Sequence, residues 1–188
     1  MATSEVEICR NALLLLGDAE ISSFDDEGDR VTLIANLWTN ARDAVLRSHP
    51  WNCAIKRVAL APEATGPDFD YAYSFLLPGD WLRTLSVGLK GDAPAYEHEN
   101  GRILMDDAVC YFRYVFRNEN IASYDAMLVA ALEAYMAMLA AYPITKSAAV
   151  QERMASLYEG QLKRARSIDG QEQPPEDFGD FPLLAVRR

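Results

Sequence analysis

The sequence predicts an α+β fold: an antiparallel four-helix bundle of two N-terminal and two C-terminal helices, with an inserted small antiparallel β-sheet lobe and an extended C-terminal arm. Three observations point there. Apolar residues recur at steps of three and four before residue 50 and again after residue 120, the period of a helix with one buried face. Between these stretches, short runs of branched and aromatic residues alternate with Gly, Pro and Asn turn signals, the pattern of short strands. Beyond residue 168 the helical period stops and prolines appear. The divisions are therefore 1–50 and 120–168 for the bundle, 51–119 for the lobe and 169–188 for the arm.

The first helix is expected over residues 4–16. Ser4 with Glu7 three residues on makes a capping box, and Gly17 supplies a left-handed stop. Its apolar residues form two adjacent stripes, so it should be buried on more than one side. The acidic loop Asp25-Asp26-Glu27-Gly28-Asp29 lacks the twelfth-position ligand of a calcium loop and is expected to cap the second helix. That helix spans about 29–47, with Val31, Ile34, Trp38, Ala41 and Val45 on one stripe, and stops before Pro50.

Strands are expected at 53–61, 71–77, 81–89, 95–99, 102–105 and 109–116, read as a meander of five or six. Asn100-Gly101 is the strongest hairpin signal among them. The third helix is placed at about 123–142, capped by Ser123 and broken by Pro143, with Met127, Ala131, Tyr135, Met138 and Tyr142 on its core face. The fourth is placed at about 145–167, capped by Thr145, with Val150, Met154, Leu157, Gln161 and Ala165 inward. Lys163, Arg164 and Arg166 would then oppose the dipole at its end. None of the four helices can bury its stripe alone, which argues for packing them together.

The formal charge of −10 makes a surface that repels nucleic acid and anionic membranes except where bases cluster. The three cysteines, Cys9, Cys53 and Cys110, are odd in number, widely spaced and set among apolar residues, so they read as small core hydrophobes in a reducing compartment. Glu5 and Glu7 replace the basic start of a signal peptide, and no apolar run is read as approaching the ~20 residues of a membrane span.

Reactive constellations are missing from the pattern. His49 follows a helix, where it would cap carbonyls, and His98 sits in Glu97-His98-Glu99 on a short edge strand. No nucleophile elbow, phosphate loop or dinucleotide fingerprint occurs. Asp106-Asp107 reads as a turn, and the aromatics of 111–116 as packing for a small sheet rather than base-stacking platforms. The expectation is a protein with no enzymatic activity, no metal and no cofactor.

The order of several phrases resembles a known family. They are Leu16-Gly17-Asp18-Ala19-Glu20-Ile21-Ser22-Ser23, then Val45-Leu46-Arg47-Ser48-His49-Pro50-Trp51-Asn52-Cys53-Ala54, then Tyr71-Ala72-Tyr73 and Leu77-Pro78-Gly79-Asp80-Trp81-Leu82-Arg83. The hairpin around Asn100-Gly101, the strand from Tyr111 to Tyr114 and the phrase Ala140-Ala141-Tyr142-Pro143-Ile144-Thr145 follow. Across residues 4–168 the chain resembles the tail tubular protein A family of short-tailed phages, also called the head-to-tail adaptor or gatekeeper. The resemblance implies a helix bundle with a β lobe and a twelve-fold ring of copies. That ring would lie between the portal protein and the tail nozzle protein, in a virion neck assembled in the host cytoplasm. Genome DNA would pass through the lumen without sequence-specific binding. Twelve copies would carry a charge on the order of −120, which repels phosphates from the channel wall.

A ring contact joins two different faces of neighbouring subunits. Phe178, Phe181, Leu183, Leu184 and Arg187, in the proline-rich acidic arm, are the candidate assembly residues, because disordered tails rarely carry such apolar anchors. Two other readings stay open: a different phage neck protein, such as a stopper or head-completion subunit, and a small non-structural binding protein or enzyme.

Overall fold

The computed structural model of the protein describes residues 4–172. Among them are four α-helices, α1 (Glu5–Leu15), α2 (Asp29–Arg47), α3 (Ala126–Thr145) and α4 (Ala148–Gln171). Six strands lie between α2 and α3: β1 (Ile55–Leu60), β2 (Tyr73–Leu76), β3 (Trp81–Val87), β4 (Tyr96–Glu99), β5 (Arg102–Met105) and β6 (Cys110–Phe116). The α+β class, the pairing of helices from both ends of the chain and the inserted β region all match the sequence expectation.

Helix starts are set by local chemistry, not always at the expected residue. Ser4 accepts the Glu7 N–H at 3.2 Å, as the capping box requires. α2 has no side-chain cap; Gly28 holds the cap position at φ +141°, a backbone region that favours glycine. The acidic loop folds on itself instead: the Asp26 carboxylate accepts the Ser22 and Ser23 N–H groups at 2.8 and 2.9 Å. Asp125, not Ser123, caps α3 by accepting the Met127 N–H at 2.7 Å. Ser147, not Thr145, caps α4, because the Thr145 hydroxyl donates back to the Ala141 carbonyl at 2.7 Å. Pro143 does not break α3 but lies in its last turn, where only one helical bond is forfeited before the left-handed Lys146 ends the run.

α3 packs against α1, α2 and α4 and is the centre of the helical layer. Leu128, Val129, Leu132, Met136, Ala137 and Ala140 are buried, on nearly every side of the helix. The expected stripe is therefore corrected: of its five residues only Ala131 is fully buried, and Tyr142 is exposed. A helix with three neighbours has no single inward face. The same centrality makes α3 long and apolar enough to cross a membrane by length and composition. The expectation that no run approaches that length is thus overturned, and the buried packing against three helices accounts for the composition.

The strands do not form a meander. They make two three-stranded antiparallel sheets, ordered β1-β6-β3 and β2-β5-β4. Only β4 and β5 are joined as a local hairpin, through Asn100 and Gly101 at φ +44° and +72°. The sheets face each other across a small core of Phe75, Ile103, Met105, Cys110, Phe112 and Tyr114. β6 serves two layers through its period of two: Phe112 and Tyr114 point between the sheets, whereas Val115 joins the helical core with Trp51, Ala54 and Leu82. Full burial of a ring such as Phe112 stabilises the lobe by about 2–3 kcal/mol.

α4 runs to Gln171, past the expected end. Residues 169–171, expected in the arm, are helical, and the Lys163, Arg164 and Arg166 cluster lies before the last turn rather than in it.

Candidate assembly surfaces

The lobe is fixed to the helices by a collar of polar contacts. Arg47 donates to the Leu82 carbonyl and lies 5.9 Å from the Trp81 ring centre. Buried Trp51 donates through Nε1 to the Val45 carbonyl at 2.9 Å. Buried Asn118 donates through Nδ2 to the Cys53 carbonyl at 2.7 Å and the Ser123 hydroxyl at 2.8 Å, and accepts the Asn120 N–H at 3.0 Å. Arg117 meets Asp43 at 2.7 Å, joining the end of β6 to α2.

α4 closes the same collar. The buried Asp169 carboxylate accepts the Asn52 backbone N–H at 2.9 Å and stands 3.2 Å from His49 Nε2. Asn52 Nδ2 donates to the Asp169 carbonyl at 2.9 Å, and Arg166 donates to the Ser48 carbonyl at 3.0 Å. His49 therefore does not cap carbonyls; it joins α2 to α4, and Arg166 of the basic cluster has the same task. Burial holds the His49 imidazole below its ordinary value, against the opposing pull of Asp169.

Two grooves lie on the outer faces of the two sheets. On the β1-β6-β3 sheet, Arg57 and Arg113 are register partners on adjacent strands, and Ser86 of β3 is the next partner of Arg113. Side chains of one parity share a face, so both guanidinium groups stand on the side away from the second sheet. With Lys90, Leu89 and Tyr111 they line a groove of about 640 Å³. The Arg113 Nε is buried with no hydrogen-bond partner, and Arg57 has no ion-pair partner among the described residues.

The opposite groove, about 730 Å³, lies between β4, β5 and the loop 61–72. Its lining includes Asp68, Asp70, Glu97 and Glu99, beyond the pair formed by Glu63 and Arg102 at 2.7 Å. The Arg102 and Ser74 bonds hold the Glu63 carboxyl below the usual range. The lobe thus presents a basic groove on one side and an acidic groove on the other.

The remaining sequence candidates fall as follows. His98 lies on the exposed edge strand β4, its ring 5.1 Å from Trp81. Asp106 accepts the Ala72 N–H at 3.0 Å in a turn. Phe112 and Tyr114 stack at 5.0 Å inside the lobe, while Tyr111 is exposed. Cys9 and Cys110 are buried and Cys53 half-buried; burial pushes their thiols up to about 12, 11 and 11 respectively. Among the described residues no group of His, Cys, Asp and Glu is placed to hold a metal ion. Phe178, Phe181, Leu183, Leu184 and Arg187 lie outside the described residues. The arginine pair was missed in the sequence because it depends on β1 pairing with β6, some fifty-odd residues away; the alternation of 53–61 was its only signal. No protein-family model and no curated protein matches the chain.

Proposed function

We propose that the chain is a non-enzymatic structural subunit of a phage head-to-tail joint, an adaptor that acts as a ring of twelve copies between portal protein and tail nozzle protein. The helices form the antiparallel bundle of the subunit, the β lobe makes contacts between copies, and the arm carrying Phe178, Phe181, Leu183, Leu184 and Arg187 reaches a neighbour or the portal. DNA passes through the lumen without base readout. The neck of the virion, assembled in the host cytoplasm, is its place.

The observation that carries this reading is the opposition of the two grooves. A head-to-tail ring needs two different complementary faces on one subunit, and the lobe has a basic groove at Arg57 and Arg113 opposite an acidic one at Asp68, Asp70, Glu97 and Glu99. Opposite charge across such a contact favours the right partner and repels the wrong one. Six of the ten exposed large hydrophobic side chains among the described residues, including Phe69, Leu76 and Leu89, are also on the lobe. Apolar groups ringed by charge are the composition of a docking surface.

The test is reconstitution with a cognate portal, read by electron microscopy and sedimentation. A ring on the portal is expected, and Asp68→Lys with Glu97→Lys should prevent ring closure while leaving the subunit folded. A chain that stays monomeric and ignores the portal would sink the proposal and favour a small binding protein or enzyme.

A further inference from the structure

We infer that β4 of one copy adds to the open edge of β1 in the next copy, running parallel to it and setting Glu97 beside Arg57. The inference rests on the ring reading above and gives its subunit contact a backbone form.

Each of the two sheets has two edge strands, and one edge of each is already blunted. The Ser74 carbonyl on the outer side of β2 accepts the Glu63 N–H at 2.8 Å. β3 carries register breaks between Trp81 and Arg83 and between Thr84 and Ser86, and such bulges discourage further pairing. β1 and β4 pair regularly with one neighbour each and show no backbone bond on the other side among the described residues. The bonds that are made fix which groups point outward. The Gly88 N–H goes to the Tyr111 carbonyl, so odd-numbered residues of β6 bond toward β3 and even-numbered ones toward β1. Arg57 and Ala59, opposite Arg113 and Tyr111, therefore turn their N–H and C=O groups out of the sheet. In the other sheet the Gly101 carbonyl accepts the Leu77 N–H, so Arg102 and Leu104 bond toward β4, and Tyr96 and His98 turn their backbone groups out. Arg57, Ala59 and the whole of β4 are exposed.

The two open edges lie on opposite flanks of the lobe. The His98 ring of β4 is 5.1 Å from the Trp81 ring of β3, which puts β4 beside β3 and leaves β1 on the far side of its own sheet. Unlike edges on opposite flanks join copies head to tail.

Charge and facing choose the pairing. Glu97 and Glu99 line the outer face of one sheet and Arg57 the outer face of the other. Asp92, a carboxylate in the same lining as Arg57, comes from the loop beyond β3, two strands away from β1. Two β4 edges paired together would set Glu97 against Glu97 or Glu99, and like charges so placed repel. In an antiparallel pair of β1 with β4, residues with outward groups stand opposite one another, so Glu97 would fall on the face of Val58, which packs between the sheets. In a parallel pair a residue with outward groups bonds the two residues that flank its neighbour. Arg57 then bonds the main chain of Tyr96 and His98, and its side chain lies beside Glu97. Parallel pairing is slightly weaker per residue, but it alone keeps outer face with outer face.

Sedimentation of the full chain, alone and with a portal ring, tests this. Arg57→Glu and Glu97→Arg should each weaken association about tenfold. A one-to-one mixture of the two variants should restore it, and so should the double variant. Ala59→Pro removes an outward N–H without touching a bond to β6, and should weaken association about as much with the circular dichroism unchanged. On assembly the outward amides of Arg57, Ala59 and His98 should exchange about tenfold more slowly. If Ala59→Pro fails to fold, the mixing result and the exchange of these amides decide. Rings that form on the portal regardless of the charge reversals and of Ala59→Pro overturn the inference and leave the ring reading standing. Self-association that the same changes abolish, in a chain that ignores the portal, sustains the strand pairing and sinks the portal reading. A closed two-fold dimer, or a wild type that stays monomeric with and without portal, overturns both.

Discussion

Replacing Asp169 with alanine removes the one side chain through which the end of α4 holds both the backbone and the imidazole at the start of the lobe. The carboxylate is 7% exposed and accepts the Asn52 N–H at 2.9 Å, with His49 Nε2 at 3.2 Å. A bond to a charged group contributes about 1.5–3 kcal/mol, and a stranded buried donor costs about 1–3 kcal/mol. The His49 side chain is 21% exposed, so water replaces part of its loss. The net destabilisation of Asp169→Ala is therefore about 3 kcal/mol. For a chain of this length that lowers Tm by about 6–12 °C. Asp169→Asn keeps an acceptor oxygen toward Asn52 and should lose about half as much. Urea unfolding measures both, with Arg164→Ala, an exposed neighbour on α4, expected within about 0.5 kcal/mol of the wild type. Equal midpoints for Asp169→Ala and Arg164→Ala would refute the reasoning that α4 locks the junction through this carboxylate.

Two further outcomes are expected. The folded His49 has a pKa below the ordinary 6.5, so the unfolded chain binds its proton first as pH falls; stability is full above about 6.5 and declines toward the folded pKa, and His49→Gln should flatten that slope in urea titrations. Gly88 has φ +94°, and a Cβ there would lie 2.5 Å from Pro94 Cδ and 2.9 Å from the Asp92 carbonyl. Gly88→Ala should cost about 1–3 kcal/mol and distort the turn that flanks the basic groove; an unchanged melting temperature would contradict it.

Local signals in the sequence were readable where the physics was local. The Ser4–Glu7 capping box, the α2 stripe through Trp38 and the Asn100-Gly101 hairpin each depend on residues within one turn of each other. Pairing partners were not readable in the same way. Alternation tells which residues share a face but not which strand lies alongside, and neighbours in sequence are only the commoner choice. Here β1 joins β6 and β2 joins β5, so the expected meander became two sheets, and the Arg57–Arg113 pair stayed hidden. The α3 stripe failed because a helix surrounded by others is apolar on every side, which erases the periodic signal. The role of Asp169 left no trace in the pattern, since its partners Asn52 and His49 are more than a hundred positions away. Of the candidate surfaces, the two grooves were products of topology, each lined by residues that strand pairing brings together from distant positions.

The pairing of β1 with β6 sets Ile55 directly across from Val115. The polypeptide thus departs from the helices and comes back to them at neighbouring points, like a loop of rope cinched at its base. The β2-β5-β4 sheet, unlike β3 with its Leu82 seated among the helices, can therefore lengthen, shorten or change its surface while the helical platform stays intact.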